Sequence, residues 1–121
     1  MVVYVDDAFI LATVEGITSR WSHMMSDTVN ENGTRELVEF AARLGLRPSW
    51  IQHEGTWGEH FDVTTSKRLL AIRRGAIPLH GIHEAAALTT ARRTGFAFDV
   101  AAVRLHVPVY DQDGYREETL F

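Results

Sequence analysis

His60-Phe-Asp-Val-Thr-Thr-Ser-Lys-Arg68 is the stretch whose reading decides the fold. It holds an imidazole, a carboxylate, three hydroxyls and two cations, and the apolar run Leu69-Leu-Ala-Ile72 follows before a stop at Gly75. The order polar, apolar, glycine predicts a loop that enters a helix over about Thr65 to Arg74. Asp62, Thr64 or Thr65 is placed to cap it, because a short side-chain oxygen accepts a bond from a free N–H of the first turn. Those N–H groups and the helix dipole also favour a bound anion. At about 100° per residue, Thr64, Lys67, Arg68 and the small Ala71 share one arc. Thr64, Ser66, Lys67 and Arg68 are therefore the candidate phosphate contacts. The plainer reading of the same residues is a capped junction whose side chains only order the loop.

Outward from this junction, helices and strands alternate. On its C-terminal side Ala76-Ile-Pro-Leu79 reads as a short strand. On its N-terminal side Leu37, Phe40, Ala41 and Leu44 recur at helical spacing, with Thr34 as the N-cap and Gly45 as the stop. Trp50-Ile-Gln-His53 is a strand candidate after Pro48, and residues 54–59 form a glycine-bearing loop. Ala41-Ala-Arg-Leu-Gly-Leu-Arg-Pro48 and Ala71-Ile-Arg-Arg-Gly-Ala-Ile-Pro78 repeat one grammar: helix, Gly, two residues, Pro, strand. Helix-stop chemistry alone produces that pattern, but it supports an α/β fold. A third helix is expected over His83–Thr94, ending at Gly95. Val103, Leu105, Val107 and Val109 alternate with polar residues and predict an edge strand that includes Pro108. Asp111-Gln-Asp-Gly114 reads as a turn, and residues 115–121 as a tail.

At the other end, Met1–Val5 is a continuous apolar run that suits a strand covered on both faces, and it exits at Asp6-Asp7. Ligands gather beyond the carboxyl ends of strands in open α/β sheets. These acids are thus candidates for metal binding or base catalysis, Asp7 foremost, unless they simply form the turn. Ala8–Arg20 shows no period and reads as a loop. Trp21-Ser-His-Met-Met25 reads as a strand that carries His23 on the face of Trp21 and Met25. Asn30-Glu-Asn-Gly33 reads as a turn. The expected architecture is a single α/β domain over residues 1–121, with a mixed or parallel sheet and about three helices. Val3, Val5, Leu37, Phe40, Leu44, Leu69 and Ile72 are its expected core.

With 121 residues, 45% of them hydrophobic and 23% charged, the composition is that of one globular domain. No apolar run approaches the roughly 18 residues of a membrane span, and the N-terminus lacks a signal-peptide pattern. The absence of cysteine excludes disulfides and thiolate metal sites. A cytoplasmic location is the expectation. The net charge of −4 argues against non-specific duplex nucleic-acid binding, though a small phosphorylated ligand can still meet a local cationic pocket.

Val3-Tyr-Val-Asp-Asp7, Trp21-Ser-His-Met-Met-Ser-Asp27, Ala41-Ala-Arg-Leu-Gly45, His60-Phe-Asp-Val-Thr-Thr-Ser-Lys-Arg68 and Gly75-Ala76 form an ordered set. Together they resemble a family of short bacterial and phage proteins known as domain of unknown function 4031. The resemblance spans about Met1 to Leu79, leaving residues 80–114 outside it. It implies a compact intracellular domain and carries no activity, cofactor or catalytic residue.

Three functions follow from the residues themselves. The first is a metal-dependent hydrolase of a phosphorylated or nucleotide-like substrate. Asp7, His23, His60 and Asp62 would hold a divalent metal ion, and Asp7, His60 and Asp62 would carry catalysis. His60-x-Asp62 alone is too short a pattern to be a metal signature. The second is a non-catalytic nucleotide, nucleic-acid or protein-binding module that uses the same cations, with Trp50 or Trp57 as a stacking surface. The third is a structural protein without a small ligand. Ser-His-Asp chemistry is not expected, since no Gly-x-Ser-x-Gly elbow occurs.

Overall fold

The N-terminal apolar run forms β1 (Val3–Val5), buried on both faces as a central strand should be. Its neighbours appear in a computed structural model that describes residues 2–106, 109–111 and 114–116. The spine of the sheet is β3 (Ile17–Ser26), ten residues long. Along one side it pairs first with β2 (Ile10–Val14) and then with β1, both antiparallel. Along its other side it pairs with β4 (Phe61–Thr64), also antiparallel. After α2, described below, β5 (Ile77–Pro78) returns parallel to β1 and makes the sheet mixed.

Helices cover both faces. On one, α1 (Glu31–Arg43) and α2 (Thr65–Arg73) contribute Leu37, Ala41 and Ala71, which close over Val3, Val5, Met24, Phe61 and Val63. On the other, α3 (Gly81–Thr94) and the segment entering α4 (Val100–His106) close over Tyr4, Met25 and Leu79, using Leu88, Phe98 and Val100. The alternation in β1 and β3 feeds the two cores: Val3, Val5 and Met24 face one, Tyr4 and Met25 the other. The α/β class and mixed sheet are as the sequence predicts.

Several elements differ from expectation, each for a physical reason. Residues 8–20 are a hairpin rather than a loop. Its two-residue turn, Glu15-Gly16, has φ of 52° and 79°, the positive pair that a primed hairpin turn requires. Ile10, Leu11, Val14 and Ile17 all stand exposed, so no buried face imposed a period of two. The junction at His60 is a strand, not a loop: Phe61 and Val63 are wholly buried and alternate with Asp62 and Thr64. Helix α1 begins at Glu31, capped by Asn30 Oδ1 on Gly33 N at 2.8 Å, and not after Thr34. Gly33 sits inside the helix because a Cβ there would lie 2.2 Å from the Thr28 carbonyl oxygen. Pro48–Trp50 is a short 3-10 turn, and of the expected strand beyond it Gln52 alone bridges, to His60. Residues 100–106 form α4 where an edge strand was expected from Val103. Asp99 Oδ1 accepts from Ala101 N and Ala102 N at its start, and Arg104 reaches Glu84 with two bonds of 3.0 Å. Pro108 lies outside the described residues. Residues 109–111 pair with 114–116 as a second, two-stranded sheet, so the expected tail begins within a strand.

The cap of α2 by Thr64 and the stop of α3 at Gly95 (φ 80°) follow expectation. So does the burial of Val3, Val5, Leu37 and Leu44, with Phe40 and Ile72 packed at the margin. Leu69 does not join the core, being 49% exposed on the outer side of α2.

Candidate metal centre

The register between β3 and β4 builds the site. Met24 pairs with Phe61, and both are fully buried. A slip of one residue would expose both, so the register is strongly specified. The next pair along is His23 with Asp62, which point away from that core and into each other's reach. His60 lies two residues before Asp62. Its backbone is fixed by reciprocal bonds with Gln52, 2.9 Å from Gln52 N to His60 O and 3.1 Å from His60 N to Gln52 O. Asp6, at the exit of β1, completes the group. It is held there because its own N–H donates to the His23 carbonyl at 2.9 Å.

Hydrogen bonds set the tautomers of both rings. The Gly58 carbonyl can only accept, so His60 Nδ1 donates to it, at 2.7 Å. His23 Nδ1 donates to the Asp6 carboxylate, also at 2.7 Å. In the neutral rings both Nε2 atoms therefore carry lone pairs. Each faces Asp62 Oδ1, His60 Nε2 at 3.3 Å and His23 Nε2 at 3.9 Å. Among the described residues these three form the group suited to hold a metal ion, with ligand atoms within 4.8 Å of one another. Ligands about 2.0–2.2 Å from one ion lie roughly 3–3.5 Å apart; the His60–Asp62 separation already lies in that range and the His23–Asp62 separation just beyond it. Gln52 Nε2 donates to the other Asp62 oxygen and orients the carboxylate. Imidazoles held at Nδ1 and a carboxylate held from behind are the usual supporting shell of a metal site.

In the metal-free cluster the electrostatics favour charged carboxylates and a charged His23. Burial alone would raise the Asp6 carboxyl, but the His23 ring, the His23 N–H at 2.8 Å and the His23 charge together bring it below the usual range. When the His60 ring carries a second proton, on Nε2, its bond is the largest influence on Asp62; with the His60 and His23 charges and the Gln52 bond it outweighs burial and lowers that carboxyl. His23 is raised chiefly by its bond to Asp6, against burial, and further by the negative charge of both acids. The cluster is half-open to water: side-chain exposure is 34% for His23, 27% for Asp62 and 17% for His60.

Of the expected metal ligands, His23, His60 and Asp62 come together and Asp7 does not. The Asp7 carboxylate accepts from Gly81 N at 2.9 and 3.1 Å and anchors the start of α3. Its neighbour Asp6 takes the place at the cluster. The sequence marks both acids; the ladder bond that selects Asp6 depends on a long-range pairing. Gln52 and the Gly58 carbonyl carry no sequence signal at all. The expected phosphate contacts are dispersed. Lys67 Nζ donates to the Leu44 carbonyl and closes the end of α1. Thr64 Oγ1 caps α2 by accepting from Lys67 N at 3.3 Å and lies 3.2 Å from Ser66 Oγ. Arg68 Nε donates to the Asp6 carbonyl at 2.7 Å, and its guanidinium lies over the Phe9 ring at 4.9 Å. A surface cavity of about 630 Å³ opens at the other end of β1, lined by Val2, Val3, Phe40, Arg43, Arg74 and Ile77 among others, away from the cluster.

Fold and site together define a small α/β domain with a two-histidine, one-carboxylate cluster where β3 pairs with β4, beside the exit of β1. The chain belongs to the family described as protein of unknown function (DUF4031), which matches residues 3–93. The match runs past Leu79, where the sequence resemblance stopped, and takes in nearly all of α3. No curated protein and no solved structure matches the chain. No helix among the described residues is long and apolar enough to cross a membrane.

Proposed function

We propose that the protein is a metal-dependent hydrolase of a phosphorylated, nucleotide-like substrate, with His23, His60 and Asp62 as the ligands of a divalent ion. The observation that carries this reading is the pair of Nε2 lone pairs turned onto one carboxylate oxygen, each fixed by an acceptor at Nδ1. Two imidazoles and a carboxylate suit zinc, manganese, iron or cobalt better than the all-oxygen preference of calcium and magnesium. Three protein ligands leave coordination positions for water and substrate, the arrangement of catalytic rather than structural sites. A bound ion would supply an activated water and polarise a phosphoryl oxygen. Arg68, bonded to the carbonyl of Asp6, brings a positive charge to the exit of β1, where it would offset phosphate charge. Asp6 is a positioning residue in this reading, because it acts through His23.

The test uses protein stripped with chelator and then given zinc, manganese, cobalt or magnesium. Expected is a rise in melting temperature with one or more of the first three, together with cleavage of an activated phosphodiester. Both are lost in His60→Ala and Asp62→Ala. Ion binding without turnover on any phosphoester would instead favour a non-catalytic nucleotide-binding module. No stabilisation by any ion would overturn the metal reading.

A further inference from the structure

Two of the three tryptophans lie in or next to the segment that supplies Gln52, His60 and Asp62. Trp50 stands two residues before Gln52, whose amide holds Asp62, and Trp57 stands three residues before His60. By chain reach alone their Cα atoms lie within about 7 and 11 Å of those of Gln52 and His60. Each of the two is 48% exposed. Trp21, in contrast, is partly buried in the sheet and donates its Nε1–H to the Ala12 carbonyl at 3.0 Å. Each outer indole is backed by an arginine, Arg47 at 5.6 Å from the Trp50 ring centre and Arg93 at 5.5 Å from that of Trp57. A guanidinium covers one face of a ring; the exposure of each indole leaves other surface open to water.

The loop that carries Trp57 is braced from within. Glu59 is fully buried, and its Oε2 accepts from Gly55 N at 2.8 Å and from Thr34 Oγ1 at 2.6 Å. Arg92, at the end of α3 beside Arg93, donates to the Glu59 carbonyl at 2.6 Å. Residues 53–55 turn through two left-handed conformations, His53 at φ 53° and Gly55 at φ 78°. An aromatic ring held on a braced loop loses little freedom on binding, which is the condition for a stacking platform.

We infer that the Trp50 and Trp57 platforms bind nucleobases of a single-stranded nucleic acid whose phosphates lie toward Arg47, Arg93 and the metal cluster. This rests on the phosphorylated-substrate reading above and names the substrate class. Stacking on an indole requires an unpaired base, so the partner is a single strand rather than a duplex. A chain with net charge −4 lacks the broad basic surface of a duplex binder, but a platform with local arginines needs none.

The test is fluorescence anisotropy of a labelled thymidine dodecamer with the whole protein in EDTA. No ion is then needed, and failure of the metal reading remains separate. Expected is binding that weakens with salt and exceeds that of a duplex of equal length. Trp50→Ala and Trp57→Ala each weaken it by roughly tenfold or more, as loss of one stacked base predicts. Trp57→Phe falls between, and Trp21→Phe binds as wild type. Wild-type affinity in both alanine variants, folded by circular dichroism, overturns the inference, as does equal affinity for duplex. Thymidine monophosphate competing as well as the dodecamer overturns the strand and assigns the platform to free nucleotides.

Discussion

Asp6→Asn isolates the part of the site that acts through another residue. The carboxylate makes two charge-assisted bonds to His23, 2.7 Å to Nδ1 and 2.8 Å to the backbone N–H. Asparagine keeps the shape and one acceptor oxygen but removes the charge. It leaves His23 in place as a ligand with its Nδ1–H less firmly held and its ring less basic. Loss of such a supporting contact typically costs 10–100-fold in metal affinity, or about 1.4–2.7 kcal/mol. The assay is competition for zinc or cobalt against a chromophoric chelator, with the His23 ring followed by NMR in the metal-free protein. Expected is weakened binding in that range and a His23 titration moved down toward the ordinary value of 6.5. Asp7→Asn is the comparator: its carboxylate holds Gly81, so affinity should stay at the wild-type level. The reasoning is refuted if Asp6→Asn binds metal within twofold of wild type, or if the His23 titration does not move.

Phe61→Ala should lower stability by about 3–5 kcal/mol in urea denaturation, because the ring is wholly buried and sets the β3–β4 register. Leu69→Ala, on an exposed position, should stay within about 0.5 kcal/mol; the reverse ranking would put α2 in the wrong rotation. Asn30→Ala should cost about 1 kcal/mol by the same measurement, and a change of only a tenth or two would place the start of α1 elsewhere. The metal-free protein should show opposing pH effects. The raised His23 contributes stability that is complete below about pH 6.5 and fades as pH rises through its folded value. The lowered Asp6 and Asp62 contribute stability present above about pH 3.8 and lost as pH falls through their folded values. Denaturation midpoints across pH should therefore fall on both the acid and the alkaline side, and His23→Gln should flatten the alkaline limb.

Local chemistry made much of the fold legible in the sequence. Helix stops at Gly45, Gly75 and Gly95, the helical spacing of Leu37 and Leu44, and the doubly buried run at Val3 need only neighbours along the chain. What stayed hidden depended on partners far away. Ile10–Val14 is a strand because β3 extends past the core to pair with it, not because it buries a face of its own. Gly33 looked like a turn because the close Thr28 carbonyl that demands a glycine is a tertiary contact. Similar reasoning applies to the site. His23, His60 and Asp62 were visible as residue types, but the exchange of Asp7 for Asp6 turned on one ladder bond. That Lys67 and Arg68 donate to the Leu44 and Asp6 carbonyls is not legible in the sequence, because both acceptors lie far away along the chain.

The most direct test of the metal centre is anomalous diffraction from crystals of this protein soaked in zinc or manganese, with data on both sides of the metal edge. The account predicts one dominant anomalous peak about 2.0–2.2 Å from His23 Nε2, His60 Nε2 and Asp62 Oδ1, absent in Asp62→Ala crystals. A cluster without a peak, or dominant peaks only at other surface groups, would contradict it.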